Sequence, residues 1–198
     1  MSRQAFPGTL GVYSIGAESG AIAATLAADS PLFSFRWGNA DNFCVIDHVS
    51  VSAVVSGAIA TAVATGLELV LARAFTASDS GGTALTPDGA ANNDQKLKTN
   101  FATSLVTDIR IATTGTLTAG TRTLDPFAHA VVGYGTGTAV GTTPLAHTVL
   151  YDASSEDYPI VLSANEGGII RNPLAGPADG TFRIFVNMRW IEKDKSYF

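Results

Sequence analysis

Apolar and polar residues alternate with a period of two along much of this chain. The alternation is longest over residues 45–55, 67–75 and 181–191. A period of two is typical of a β-strand with one buried and one exposed face, because successive side chains point to opposite faces. The sequence therefore predicts three long strands. Shorter strands are predicted at 9–15, 32–37, 103–112, 145–151, 158–163 and 167–171.

The same alternation assigns the faces of these strands. His48, Ser50 and Ser52 mark the polar face of the first long strand. Apolar side chains on the other face of each strand are expected to form the core. The core-facing residues are predicted to be Val45, Val49, Val51, Ala53 and Val55 on the first strand, and Phe182, Ile184, Val186, Met188 and Trp190 on the last.

Polar, glycine-rich segments separate the predicted strands. Residues 164–167 contain Asn165, which adopts positive φ readily, so a hairpin is predicted between 158–163 and 167–171. Only residues 17–28 have a composition that suits a helix, and at most one short helix is expected there. The longest predicted loops are 77–95, 133–144 and 172–180.

Many strands with long connections, and no alternation of strands with helices, favour an antiparallel sandwich or barrel. A chain of 198 residues fits one domain. We therefore expect a single all-β domain over residues 1–198: an antiparallel, jelly-roll-like β-sandwich with long loops rich in Gly and Thr. An N-terminal arm of about residues 1–12 and a short exposed C-terminal tail at 193–198 are expected to flank it.

Composition narrows the class of protein. Only 15% of the residues are charged and 46% are hydrophobic, which excludes a disordered tail and a charged coiled coil. The net charge of -5 does not favour binding to nucleic acid or to an anionic membrane. Residues 51–71 have the length of a membrane span and one charge, Glu68, but Ala, Ser, Thr and Gly insert poorly, so we interpret them as strands.

Motifs for catalysis or phosphate binding do not stand out. The glycines at 133–141 match neither phosphate-binding spacing, and no Lys follows them. The sequence has no G-x-S-x-G motif for a nucleophilic serine. The single cysteine, Cys44, cannot form an internal disulfide; it suits a reducing cytosol and is interpreted as a buried, inert thiol. We predict no enzyme activity, no catalytic residue and no cofactor.

Potential metal ligands are dispersed. His48, His129 and His147 lie far apart in the sequence, so they are interpreted as surface or loop histidines. Two acidic clusters offer the oxygen ligands that calcium prefers, but neither has the spacing of a known calcium loop. Both are interpreted as solvated loops, and no metal site is predicted. The clusters are Asp88 with Asn92, Asn93 and Asp94, and Asp152 with Glu156 and Asp157.

Aromatic residues on the predicted strands have two interpretations. The first is a sandwich core, to which the apolar faces of two facing sheets contribute. The second is a sugar-stacking platform, which requires aromatic rings on an outer face, where only Phe185 is expected. The residues predicted for the core are Phe33, Phe35, Trp37, Phe182 and Trp190.

Nearly the whole chain resembles a family of tailed-bacteriophage virion structural proteins, the head decoration (cement) proteins. These motifs are structural, so the resemblance implies no active site. The segments that carry the resemblance are RQAFPGTLGVYSI, LFSFRWG, LARAFTASDSGGTALT, KLKTNFATSLVTDIRIATTGTLTAGTRTLD, PIVLSANEGGIIRN and GTFRIFVNMRWIE.

The resemblance implies a β-sandwich that sits on the capsid shell, binds the major capsid protein and bridges its neighbouring subunits. A homotrimer, located on the virion after assembly in the host cytoplasm, is expected. Low charge and small side chains suit such a building block, because many weak contacts repeated by symmetry suffice. The alternatives are a tail, collar or fibre component, which could bind glycans, and a soluble enzyme with an unrecognised site.

Two expectations concern contacts with partners. The arm at 1–12 is apolar and contains glycine, so it is expected to lie against a neighbouring subunit rather than on its own core. Residues 133–144 carry no charge and are expected at a subunit or capsid contact, because burying them strands no charge. Residues 77–95 contain several acids and are expected to face solvent more.

Overall fold

The computed structural model describes residues 8–85, 95–96, 101–155 and 158–197 of the chain. In these residues the regular structure is almost all β, as the alternation predicts, and the only helical elements are two short 3-10 turns, Ala153–Ser155 and Lys195–Tyr197. The strands are β1 Thr9–Glu18, β2 Ile22–Ala23, β3 Ser30–Trp37, β4 Asn42–Gly57, β5 Ala64–Arg73, β6 Thr83–Ala84, β7 Gln95–Lys96, β8 Asp108–Ile111, β9 Thr123–Leu124, β10 Ala130–Gly135, β11 Leu145–Asp152, β12 Val161–Leu162, β13 Glu166–Asn172 and β14 Thr181–Asp194.

The strands form two antiparallel sheets that pack face to face. Sheet A has the order β11-β4-β14-β1-β7, with β12 paired to β4 and β2 paired to β14. Sheet B has the order β10-β5-β13-β3-β8-β6, with β9 paired to β5. The all-β sandwich expected from the sequence is therefore confirmed.

The order of the eight main strands is that of a jelly roll. In chain order they are β1, β3, β4, β5, β10, β11, β13 and β14, and β1, β4, β11 and β14 belong to sheet A. The first of the eight lies beside the last, and the second lies beside the seventh in the other sheet. This nesting of early and late strands is the double Greek key of the jelly roll. It also places β10 and β11, which follow each other in the chain, at the same side of the sandwich.

A bulge in β4 changes which side chains reach the core. His48 pairs with Arg189 and Ile46 pairs with Trp190, so Asp47 is an extra residue in β4. The extra residue reverses the alternation: Cys44 and Ile46 face the main core before it, and Val49 does so after it. The prediction that Val45 lies on the core face with Val49 is therefore wrong. The rest of the predicted core face, Val49, Val51, Ala53 and Val55, is buried.

Aromatic side chains fill the centre of the sandwich. Trp190 is fully buried, stacks on Tyr13 with ring centroids 5.7 Å apart, and meets the edge of Phe35 at 5.2 Å. Phe33 and Trp37 are also fully buried, which confirms the core interpretation of these aromatics. Phe182 packs against the core and is partly exposed.

One end of the sandwich is closed by residues 101–107, most of which the alternation assigns to a strand. Only Asp108–Ile111 form a strand, because Ser104 and Leu105 before them bind a side chain instead of a neighbouring strand. Glu192, buried at the end of β14, accepts hydrogen bonds from Ser104 Oγ (2.6 Å) and Leu105 N–H (2.9 Å). Tyr13 donates its hydroxyl to the Ala102 carbonyl at 2.8 Å. The segment is therefore anchored by buried polar groups of sheet A.

The predicted hairpin around Asn165 is wrong in its pairing. Asn165 does adopt positive φ (60°), as the sequence suggests. However, β12 pairs with β4 in sheet A, whereas β13 pairs with β3 and β5 in sheet B. The turn thus carries the chain from one sheet to the other. A local turn signal predicts the turn but not the partners of the strands on either side.

Two predicted boundaries change, and the segment for which at most one short helix is expected has none. Residues 17–28 form no helix, since β1 extends through Glu18 and β2 follows. Thr9 and Val12 pair with Lys193 and Ile191 of β14, so the part of the predicted arm that is described belongs to its own sheet. Residues 1–7 lie outside the described residues. The predicted tail at 193–198 begins inside β14, which ends at Asp194.

Among the described residues, no helix is long and apolar enough to span a membrane. The window 51–71 instead covers the second half of β4, the turn after it and most of β5.

Candidate interaction surface

The three histidines do not converge. His48 lies on β4, where its Nδ1 is 3.4 Å from Asp152 Oδ2. His129 packs against the ring of Tyr151 with centroids 5.3 Å apart, and His147 is exposed on β11. Among the described residues, no group of three or more His, Cys, Asp and Glu side chains is arranged to hold a metal ion.

The acidic loops are described only in part. Asp152 Oδ1 accepts hydrogen bonds from the N–H and the hydroxyl of Ser154 at 2.8 and 2.5 Å. These bonds and the nearby His48 hold the pKa of Asp152 below its usual value. This carboxylate therefore caps a local turn. The predicted partners Glu156 and Asp157, and the cluster at 88–94, lie outside the described residues.

Cys44 is fully buried between the sheets. Burial raises its pKa well above the usual thiol value, and the carboxylate of Glu192 raises it further. A thiol that stays protonated is a poor nucleophile. The position supports the interpretation of Cys44 as an inert core residue.

Phe185, the residue that a sugar platform would need, lies on the outer side of β14. It pairs with Ser52 and Glu18 on the neighbouring strands and is partly buried. The two most exposed aromatic side chains, Phe127 and Tyr158, belong to other parts of the chain. The described structure therefore brings no second aromatic ring beside Phe185 through the neighbouring strands β1 and β4.

Charged side chains on sheet B bind one another or backbone carbonyls. Arg73 pairs with Asp125 at 3.1 Å and with Glu166 at 2.6 Å. Arg171 pairs with Glu68 at 2.5 Å. The other arginines of this group bind in the same way: Arg36 donates to the carbonyls of Phe75 and Thr76, and Arg110 pairs with Asp108.

The pair between Asp79 and Arg122 was not predicted. Both side chains are buried, and Asp79 also accepts a hydrogen bond from Gly120 N–H at 2.9 Å. Arg122 lies over the ring of Phe75, which packs in a second, smaller apolar cluster. Burial lowers the pKa of Arg122 to about 10, which leaves it charged at neutral pH. The loop after residue 77 was expected to face solvent, and at Asp79 this expectation is wrong.

One side of the sandwich lacks charged side chains, in contrast to sheet B and the buried pair of Asp79 and Arg122. Residues 126–151, which we call the neutral edge, contain no Asp, Glu, Lys or Arg. They comprise the four residues before β10, β10 itself, the following loop and β11 up to Tyr151. They pack against β4 and β5, and residues 48–67 of those strands and their turn also carry no Asp, Glu, Lys or Arg.

The neutral edge exposes large apolar side chains. Phe127 is 83% exposed, Val131 64%, Val140 63% and Val149 50%. Single exposed apolar residues are ordinary, and these four lie on different elements: before β10, on β10, in the loop and on β11. Their occurrence within one uncharged segment favours contacts with partners along this side. The surface can be desolvated without stranding a charge.

The loop of the neutral edge is held mainly by backbone hydrogen bonds, with a side-chain bond from Val63 N–H to Thr136 Oγ1 at 2.9 Å. Thr136 N–H donates to the Val63 carbonyl at 2.9 Å, and Ile59 N–H donates to the Thr138 carbonyl at 3.0 Å. Val55 and Gly141 are linked by a bond of 2.8 Å. The loop is shorter than predicted, because residues 133–135 belong to β10.

A small cavity lies between the sheets behind this loop. Its volume is about 20 Å³, enough for one water molecule. Tyr134, Thr65 and Asn172 line it, and the Oδ1 atom of Asn172 is buried with no hydrogen-bond partner in the structure. Burial raises the pKa of Tyr134 to about 12. Apart from Thr136, the rest of the lining is apolar, and the cavity is too small for an organic substrate.

The two sheet edges on this side differ in their protection. β11 has two register shifts against β4, and bulges of this kind turn an edge strand away from new partners. β10 pairs with β5 over six consecutive residues without a shift. At the opposite side the sheets end in the two-residue strands β6 and β7, and short edge strands are also protected. Among the described strands, β10 is thus a regular edge without a charge or a bulge.

Comparison with protein families, with curated proteins and with solved structures finds no match for this chain.

Proposed function

We propose that this chain is a non-enzymatic virion structural protein that decorates a capsid shell. In this role it binds the major capsid protein, bridges neighbouring capsid subunits and associates with further copies of itself as a homotrimer. The resemblance to head decoration proteins of tailed bacteriophages supports the proposal. The jelly roll is also a recurrent fold of viral capsid domains, although a fold alone does not define a function.

The observation that carries the proposal is the neutral edge. In a monomeric protein, an uncharged side with four exposed apolar residues and an unprotected edge strand promotes aggregation and has no stabilising role. In a protein that is held in an assembly by many repeated contacts, the same surface is stabilising, because each contact buries apolar area without desolvating a charge. On sheet B, by contrast, Arg73 and Arg171 pair with carboxylates of the same chain.

Binding to shells tests this proposal. Particles that lack the protein should recruit the purified wild-type chain, and Phe127→Asp and Val140→Asp should each weaken binding by about tenfold or more, the usual effect at the centre of an interface. Tyr158→Asp is the matched control, because Tyr158 is 89% exposed and lies outside the neutral edge. Equal binding of all four proteins would contradict the proposal.

Copy number distinguishes the decoration role from the alternatives. The band of this protein on a gel of purified particles should approach the intensity of the major capsid band. A band far weaker than that would favour a tail, collar or fibre component. Absence from the particles would remove the virion role altogether.

A further inference from the structure

Among the strands that the structure describes, only β5 pairs with β10, so the other side of β10, called its free side below, offers backbone groups for pairing. Thr136 N–H donates to the Val63 carbonyl, which extends the β10–β5 register by one residue. In an antiparallel ladder alternate residues direct their N–H and C=O groups to the same neighbour. The groups of Val132, Tyr134 and Thr136 therefore face β5. Those of the intervening residues 131, 133 and 135 face the free side.

The same three residues form the exposed face of β10. Val131 is exposed, and Gly133 and Gly135 follow it at every second position. A side chain at Gly133 would meet its nearest neighbour, the Thr65 carbonyl oxygen, at 3.8 Å, and one at Gly135 would meet nothing within 4 Å. The surface beside Val131 is thus flat and open. Val132 and Tyr134 pack inward against the core.

We propose that β10 pairs antiparallel with β10 of a second copy of this chain, about a two-fold axis at Gly133. Such an axis stands perpendicular to the joined sheet, so the exposed faces of the two strands coincide and residues of the same face lie opposite each other. Val131 then lies opposite the partner subunit's Gly135. Sheet B becomes one continuous sheet across the two copies.

The sequence of β10 suits itself as a partner. Each exposed valine packs over a glycine of the other strand, and on the inner face Val132 lies opposite the partner subunit's Tyr134. No charged side chain from either copy enters the contact, because residues 126–151 have none. A partner strand with charged residues on its inner face would bury them unpaired beside Val132 and Tyr134. The contact thus favours a second copy over a charged peptide.

This contact goes beyond the decoration role and is separate from the proposed trimer. A two-fold contact joins the same patch of two copies and cannot close a ring of three. It forms in the free protein and can be tested without capsids. Its failure would therefore leave the capsid-binding proposal standing, and the reverse also holds.

A disulfide on the axis is the first test. Residues directly opposite in a hydrogen-bonded antiparallel pair have Cα atoms about 5.5 Å apart, within the range for a disulfide. Gly133→Cys should therefore give a covalent dimer on mild oxidation, visible on a non-reducing gel. The native Cys44 is fully buried and should not react. Val149→Cys, on the bulged edge strand β11, is the matched control and should crosslink far more slowly. Equal rates for the two cysteine variants would overturn the proposal.

A charge swap tests the register independently of any disulfide. Val131→Lys and Gly135→Glu should each dissociate the two-fold contact, seen as a loss of mass in light scattering with an unchanged circular dichroism spectrum. A mixture of the two variants should recover mixed dimers, because the ammonium group introduced in one chain would face the carboxylate introduced in the other across the joint. Retention of the wild-type mass by Val131→Lys, or no recovery in the mixture, would contradict the pairing of these two strands.

Discussion

The buried pair of Asp79 and Arg122 and the neutral edge differ in how the chain treats charged groups. Around Asp79 and Arg122 the chain buries opposite charges against each other and against a small apolar cluster. Along residues 126–151 it has no charged side chain, and its loop is held mainly by backbone hydrogen bonds. In the first region, the opposite charges are paired within one chain. The second leaves apolar side chains and a strand edge without a cover in the described structure.

This difference indicates where stability and association reside. Changes in the first region should unfold the protein, whereas changes in the second should leave the fold intact and alter its contacts. Charge in the sequence is therefore a poor guide to exposure in this molecule. The most buried carboxylates, Asp79 and Glu192, belong to segments that carry the fold.

Removal of the cation from the buried pair should have the largest effect on stability. In Arg122→Met the Asp79 carboxylate remains buried without its partner, and breaking a buried pair in this way typically costs about 3–5 kcal/mol. Denaturation by urea should show a lower midpoint for this variant. The double variant Asp79→Leu with Arg122→Met should recover part of the loss, because it leaves no unpaired charge.

The control for this prediction is an exposed pair of the same type. Arg183 and Glu18 lie 2.5 Å apart and are both nearly half exposed. Arg183→Met should therefore change the free energy of unfolding by less than about 1 kcal/mol. If the two arginine variants unfold at the same urea concentration, the buried pair is not what holds the loop at residues 77–85.

High pH should destabilise the neutral edge through Tyr134. Its pKa is raised from 10.0 to about 12 by burial, so the folded state holds the proton more tightly than the unfolded state. Stability is then unaffected below about pH 10 and falls as the pH rises from 10 through 12, because only the unfolded chain releases the proton readily. At about 1.4 kcal/mol per unit of pKa difference, the loss approaches about 3 kcal/mol.

Tyr134→Phe isolates this contribution. The variant should lose less stability than the wild type between pH 9 and pH 11.5 in parallel urea titrations. An identical loss in both proteins would assign the effect of high pH to other groups.

The fold class could be predicted from the sequence because alternation directly reflects a sheet with one buried face. The long strand β14 follows that pattern over most of its length, and β4 follows it from Val51 onwards. What escaped prediction depends on contacts distant in sequence. The bulge at Asp47 is visible only as a mismatch with β14, and the turn at Asn165 gives no sign that its two strands join different sheets.

The candidate surface was predicted in part. The uncharged loop after residue 132 was identified from composition, but its first three residues are strand, and the importance of β10 arises from its position at the end of sheet B. Sequence alone does not reveal which strand lies at an edge. The buried pair of Asp79 and Arg122 was missed because its members lie 43 positions apart in the sequence and no spacing pattern connects them.

Of the changes considered, added salt should have the smallest effect on the binding of the protein to shells. Binding through the neutral edge buries apolar area and backbone groups, which ions in solution screen little. The affinity of the protein for shells should therefore change by less than about twofold between low and moderate salt. Binding through exposed ion pairs would weaken more over the same range. Binding should be measured at a series of sodium chloride concentrations. A steep loss of binding would indicate that the contact is made by the charged side chains on the two outer faces. That result would mean that the charged side chains, and not the neutral edge, bind the partner.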